Sequence, residues 1–95
     1  MKDLEKLLQS QSELIIGFEA IDNSVDYYHV TVSDLWFEAS NIEKERYVNT
    51  FYKSLYYTLV KNEIISENTS IFIYFYDSYG IELAKPTMTG FKILK

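Results

Sequence analysis

The sequence predicts an α+β fold, a two-layer sandwich in which one long helix lies across one face of a mainly antiparallel sheet. Three observations lead to this fold class. Residues 13–32 alternate between apolar and polar side chains around a short polar turn, as in a β-hairpin. Residues 40–62 carry apolar side chains at helical spacing, and residues 70–77 are mostly β-branched or aromatic. The chain has 95 residues, of which 47% are hydrophobic, so we expect a single domain over residues 1–95.

The first predicted element is a short N-terminal helix. Asp3 is a favourable N-cap residue, and Leu4, Leu7 and Leu8 recur at helical spacing. The polar residues 9–12 then interrupt the apolar pattern. We expect this helix to lie against another part of the fold.

A β-hairpin is predicted next, with strands over residues 13–20 and 27–32 and a turn around Asp22. Gly17, inside the first strand, indicates either a β-bulge or a close backbone approach. The alternation places Leu14, Ile16, Phe18, Ala20, Tyr28, Val30 and Val32 on the buried side, and Tyr27, His29 and Thr31 on the open side.

The longest helix is predicted to begin at Ser40 and to end near Asn62. Ser40 and Glu43 have the spacing of a capping box, in which each side chain accepts a hydrogen bond from the other residue's backbone N–H. Asn62 suits a left-handed C-terminal conformation. The apolar stripe of this helix contains Val48, Phe51, Tyr52, Leu55 and Leu59, flanked by Tyr47 and Tyr56.

Three strands are predicted in the C-terminal part. Residues 70–77 form the central strand, because they are too rich in strand-forming residues to be a helix. The turn Asp77–Gly80 leads into a strand over 81–84, which Pro86 either ends or confines to a sheet edge. A short strand over 91–94 completes the predicted order α-β-β-α-β-β-β.

The central strand is apolar on both faces. Ile71, Ile73 and Phe75 point to one face, while Phe72, Tyr74 and Tyr76 point to the other. One helix covers only one face, so the other is covered by the N-terminal helix, by a second subunit or by a partner. Tyrosine is enriched at interfaces because it buries a large ring and keeps a polar end. Phe72, Tyr74 and Tyr76 are therefore candidate partner-binding residues, and core packing is the alternative.

Charge is segregated along the chain. Residues 1–43 carry nine acids and two bases, a net −7, whereas residues 44–95 carry five acids and seven bases, a net +2. Separation of acidic and basic residues into different parts of a chain favours recognition of a partner of opposite charge. The alternative is that the acids only keep the protein soluble. The candidate docking acids are Glu19, Asp22, Asp26, Asp34 and Glu38. Asp22 and Asp26 are the strongest of these, since they lie at a hairpin tip away from any predicted base.

The sequence offers few residues suited to catalysis or metal binding. The chain has no cysteine and one histidine, His29, whereas a catalytic site needs several cooperating groups. No Gly-x-Ser-x-Gly stretch occurs, and the three glycines form no phosphate-binding loop. Asp22, Asp26 and Asp34 lack the spacing of a calcium loop. We therefore expect no enzyme activity, cofactor or metal.

Nucleic-acid and membrane partners are also disfavoured. Stacking on the nine tyrosines needs an accompanying basic surface, whereas the first hairpin is acidic. The N-terminus carries charges where a secretory signal needs an apolar core, and no apolar run is long enough to span a membrane. The sequence predicts a cytoplasmic protein.

The leading hypothesis is a non-enzymatic protein-binding domain of the inhibitor, immunity or regulatory type. Its acidic hairpin and aromatic sheet face would engage a basic protein surface. A narrower version of this hypothesis is nucleic-acid mimicry, in which the carboxylates lie where the phosphates of a nucleic acid would bind. A homodimer through the aromatic face is a further possibility. The alternative is a small-ligand binder or enzyme with a pocket between helix and sheet, lined by Trp36, Tyr47, Tyr52 and Tyr56.

Overall fold

The structure is a computed structural model that describes residues 14–88 and 90–95. Within these ranges it confirms the α+β class, with one long helix and a five-stranded mixed sheet. The predicted N-terminal helix lies outside the described residues. The elements are β1 (Ile15–Ala20), β2 (Tyr27–Val32), α1 (Leu35–Glu38), α2 (Asn41–Lys61), β3 (Phe72–Tyr76), β4 (Glu82–Thr87) and β5 (Gly90–Ile93).

The sheet has the strand order β1-β2-β3-β4-β5, with the predicted central strand, β3, in the middle. Three of the neighbouring pairs are antiparallel, and β2 pairs with β3 in parallel. The parallel pair arises because α2 carries the chain back along the sheet before β3 begins, as parallel strands require a long crossover.

The β1–β2 hairpin forms as predicted, but its register differs at one position. The tip is a 3₁₀ turn in which Asp22 and Asn23 have φ of 52° and 59°, a conformation that Asp and Asn tolerate better than most residues. The register shifts between Ile15 and Gly17, as a β-bulge or similar irregularity, which agrees with one of the two alternatives predicted for Gly17. As a result Ile15 is buried and Ile16 is 56% exposed, so the burial predicted for Ile16 is wrong. The burial predicted for Ala20 is also wrong, since Ala20 is exposed at the end of β1.

The helix α2 begins with the predicted capping box. Ser40 Oγ accepts from Glu43 N, and Glu43 Oε1 accepts from Ser40 N, both at 3.2 Å. The C-cap is Asn62, but its φ is −91°, and Glu63 has the left-handed conformation with φ of 60°. Among the described residues, no helix is long and apolar enough to cross a membrane.

The core lies between α2 and one face of the sheet. The predicted stripe residues Val48, Phe51, Leu55 and Leu59 are all buried. Phe75 lies at the centre, and its ring centroid is 6.3 Å from Trp36, 6.0 Å from Phe51 and 6.1 Å from Phe91. These contacts join α1, α2, β3 and β5 into one cluster. Because side chains alternate along a strand, the residues on either side of Phe75 in β3 face away from the helix.

The β3–β4 connection follows the predicted turn. The buried Asp77 carboxylate accepts hydrogen bonds from Tyr79 N and Ile81 N, each at 2.9 Å, and Gly80 has φ of 84°. Pro86 lies inside β4 and pairs with Phe91 of β5, beyond the register pairs that join β4 to β3. Proline therefore occupies an edge-like position, where its missing N–H is tolerated.

Candidate functional site

The side of the sheet opposite α2 carries an aromatic surface. Because side chains alternate along a strand, six residues of β2 and β3 point away from the helix. We call them the outer face: Tyr27, His29, Thr31, Phe72, Tyr74 and Tyr76. Tyr27 is 41% exposed and the other five are half-buried. The prediction that Phe72, Tyr74 and Tyr76 share the face opposite the helix is confirmed.

The parallel register brings these side chains into rows across the two strands. Tyr27 is level with Phe72, His29 with Tyr74, and Thr31 with Tyr76. The rings of Tyr27 and Phe72 are stacked with centroids 5.0 Å apart, and those of His29 and Tyr76 are 4.2 Å apart. The outer face therefore carries two pairs of contacting rings, with Tyr74 between Phe72 and Tyr76 along β3. We call these five rings the aromatic band.

The row that contains Tyr74 extends across all five strands. His29 is paired with Glu19 on β1, and its Nδ1 lies 3.6 Å from Glu19 Oε1. On the other side, the β3–β4 register pairs end with Phe75 and Ala84, and extending this antiparallel register by one position sets Tyr74 level with Lys85. Lys85 is paired with Lys92 on β5. We call this set the middle row: Glu19, His29, Tyr74, Lys85 and Lys92. It is acidic at one end and basic at the other.

The structure separates the predicted docking acids into three places. Glu19 lies within the middle row. Asp22 is exposed at the tip of the β1–β2 hairpin, and Asp26 is half-buried beside it and accepts a hydrogen bond from Ser24 Oγ. Asp34 and Glu38 are exposed beyond the opposite end of β2, a strand about 17 Å long at the usual rise per residue. The acids border the aromatic band at both ends and do not form one patch.

The helix α1 supplies a feature that the sequence reasoning missed. Trp36 points into the core and is 0% exposed, whereas Leu35 and Phe37 are 42% and 49% exposed. These two apolar side chains stand between Asp34 and Glu38. The signal was the run Leu-Trp-Phe after an acid, but a single helical turn is too short for periodicity to separate its faces.

His29 contacts an aromatic ring and a carboxylate on the outer face. Its ring packs against that of Tyr76, and its Nδ1 lies near the Glu19 carboxylate. Over the same residues, no group of three or more His, Asp or Glu side chains is arranged to hold a metal ion.

A concavity opens between α2 and the C-terminal strands, and of the four aromatic residues considered from the sequence only Tyr52 lines it. Trp36 is fully buried and stacks on Phe75. Tyr52 and Tyr56 stack on each other with centroids 6.2 Å apart, but they line different concavities. The one beside Tyr52 has a volume of about 410 Å³, and Tyr56 instead donates a hydrogen bond to the Glu67 carbonyl.

The phenol of Tyr76 is perturbed by its place on the outer face. Burial raises the pKa of Tyr76 above its ordinary 10.0, and the charges of Glu82 and Tyr74 raise it further. The folded chain therefore holds this proton more tightly than the unfolded chain. The resulting stability is fully present below pH 10 and is lost as the pH rises through the higher pKa of the folded state.

We expect Tyr76→Phe to reduce this alkaline loss of stability, since phenylalanine has no proton to release. Urea unfolding at a series of pH values from 8 to 11 measures the effect. Tyr79→Phe is the control, because Tyr79 is 84% exposed. If Tyr76→Phe and the original chain lost stability equally over this range, the assigned desolvation of Tyr76 would be wrong.

Comparison with known proteins gives no relative: no family model matches the chain, and no curated protein or solved structure matches it. Function is therefore inferred from the geometry of the described residues.

Proposed function

We propose that this chain is a non-enzymatic protein-binding domain, of the inhibitor, immunity or regulatory type, whose outer face engages a basic protein surface. The observation that carries the proposal is the band of rings on the side of the sheet opposite α2. Its aromatic side chains supply the apolar contact, and the acids around it select a positively charged partner.

The aromatic band has the composition of an interface centre. Protein interfaces concentrate their binding energy in a few central residues, among which tyrosine is enriched, and surround them with a polar rim. Tyr74 is the central member, with His29 level with it on β2 and Phe72 and Tyr76 on either side along β3. A sheet also holds these side chains in fixed positions, which limits the entropy lost on binding.

The acids supply the rim on the β1–β2 side. Glu19 is 73% exposed and Asp22 is exposed at the hairpin tip, while Asp34 and Glu38 occupy the other end of β2. Asp26 contributes charge, but its carboxylate is already engaged by Ser24, so we assign it a smaller role. Rim charges act mainly on the association rate and on partner choice.

A partner that itself binds nucleic acid is the narrower form of the proposal, because its binding channel is already basic. The acids beyond the two ends of β2, a strand about 17 Å long, would then contact two separate parts of that channel. Competition between this chain and the nucleic acid for the purified partner tests this form.

The proposal is tested with the full chain immobilised and offered an extract of its native host, followed by affinity measurement on the purified retained protein. We expect the double charge reversal Glu19→Lys with Asp22→Lys to weaken binding about tenfold, and high salt to weaken it further, because exposed charges are screened. Glu45→Lys with Glu67→Lys, both exposed and outside the outer face, is the control with the same change in net charge.

Binding that is indifferent to salt and to the Glu19 and Asp22 reversals, or that falls equally in the control, would show that these acids do not dock the partner.

A further inference from the structure

The middle row has a spacing that is symmetric about Tyr74. Neighbouring strands of a sheet lie about 4.8 Å apart. Glu19 on β1 is therefore about 10 Å to one side of Tyr74, and Lys92 on β5 is about 10 Å to the other side. An acid and a base stand at equal distances from a central aromatic ring.

Among residues 14–88 and 90–95, the basic end of the middle row has no ion-pair partner. Lys85 and Lys92 are directly opposite each other on neighbouring strands, an arrangement in which like charges are destabilising. Both side chains are exposed, whereas Glu19 at the acidic end already has His29 within 3.6 Å. An acid supplied from outside the chain would relieve this repulsion.

A two-fold rotation brings such an acid to the right place. If the axis runs parallel to β3 over Tyr74, β3 of one copy faces β3 of the other, and β1 of each lies over β5 of the other. Glu19 then meets Lys92 twice, the aromatic side chains of β3 face each other between these contacts, and those of β2 face β4 of the other copy. An axis perpendicular to the strands would instead set Glu19 against Glu19. The first arrangement agrees with the aligned packing of two β-sheets, in which the sheets lie about 10 Å apart and their strand directions differ by about −30°.

We infer, on the basis of the proposed protein-binding function, that the outer face docks a second copy of this chain through this two-fold arrangement. The surface is self-complementary, as an isologous interface requires. The second copy occupies the outer face when the basic partner is absent, and its Lys85 and Lys92 take the place of that partner's basic residues. Because both use the same face, self-association and partner binding exclude each other.

Sedimentation equilibrium of the full chain tests the inference with a charge swap. We expect the original chain to dimerise at micromolar concentration. Glu19→Lys alone and Lys92→Glu alone should each raise the dimer dissociation constant about tenfold, because each creates two like-charge contacts. The double variant should return to within about threefold of the original value. Lys53→Glu, exposed on α2, is the control and should leave the dimer unchanged.

A chain that stays monomeric at several hundred micromolar would overturn the inference, as would a double variant no better than the single ones. Either result leaves the proposed function standing if partner binding still depends on Glu19 and Asp22. Conversely, a dimer rescued by the swap, together with partner binding indifferent to those acids, would support the dimer and contradict the basic partner.

Discussion

Replacing Phe75 by alanine is expected to lower the free energy of unfolding by about 3–5 kcal/mol. Phe75 is 2% exposed, and its ring contacts those of Trp36, Phe51 and Phe91. The change removes apolar contact and leaves a cavity between α2 and the sheet, which neighbouring side chains fill only in part. Urea unfolding monitored by circular dichroism measures the loss.

The adjacent residue provides the matched control. Tyr74 is next to Phe75 on β3 but belongs to the half-buried outer face, so Tyr74→Thr should cost no more than about 1 kcal/mol, with strand propensity retained. If Phe75→Ala prevents folding, Phe75→Leu keeps most of the volume and should cost about 1 kcal/mol. Equal costs at positions 74 and 75 would contradict the assignment of the two faces.

The second large effect is expected on partner binding, to which Tyr74 rather than Phe75 is expected to contribute. Tyr74→Thr should weaken partner binding about 30-fold, the loss typical of a residue at the centre of an interface. The reason is the position of Tyr74 in the middle row, between His29 and Lys85, with aromatic residues above and below it on β3. Isothermal titration calorimetry with the purified partner measures the change.

Tyr79→Thr is the control for this loss of binding. Tyr79 is 84% exposed in the β3–β4 turn, outside the outer face, so the same chemical change there should leave affinity within about twofold, as for most exposed positions. Affinity lost equally in both variants, or retained in Tyr74→Thr, would place the interface elsewhere.

The two faces of the sheet were predictable because a strand has a strict period of two. Alternation at Tyr27, His29, Phe72, Tyr74 and Tyr76 assigned each side chain to the face that the structure shows. The start of α2 was also predictable, since the hydrogen bonds of a capping box need only Ser40 and Glu43. Local chemistry determines both features.

Features that depend on distant contacts were not predictable. Gly17 indicated a bulge, but the bulge alone does not say whether Ile15 or Ile16 is buried, which depends on pairing with β2. The parallel pairing of β2 with β3 follows from the path of α2 across the sheet.

The positions of the acids in space were also not predictable from their spacing in the sequence. Asp26 and Asp34 are eight positions apart in the sequence, yet β2 carries them to opposite ends of the sheet. Conversely, Glu19 and Lys92 belong to distant parts of the chain but stand in one row. A segregated sequence therefore produced a surface on which acid and base flank a common aromatic centre.

The central claim, that the outer face is the surface that binds protein, is tested most directly by ¹⁹F NMR of the chain labelled with fluorotyrosine. The signals are assigned by single Tyr→Phe changes and followed on adding the purified partner, and separately on raising the concentration of the chain itself. Signals of Tyr27, Tyr74 and Tyr76 are expected to shift, while those of the exposed Tyr57 and Tyr79 stay constant. Shifts at Tyr57 or Tyr79 with no change at the three outer-face tyrosines would contradict the claim.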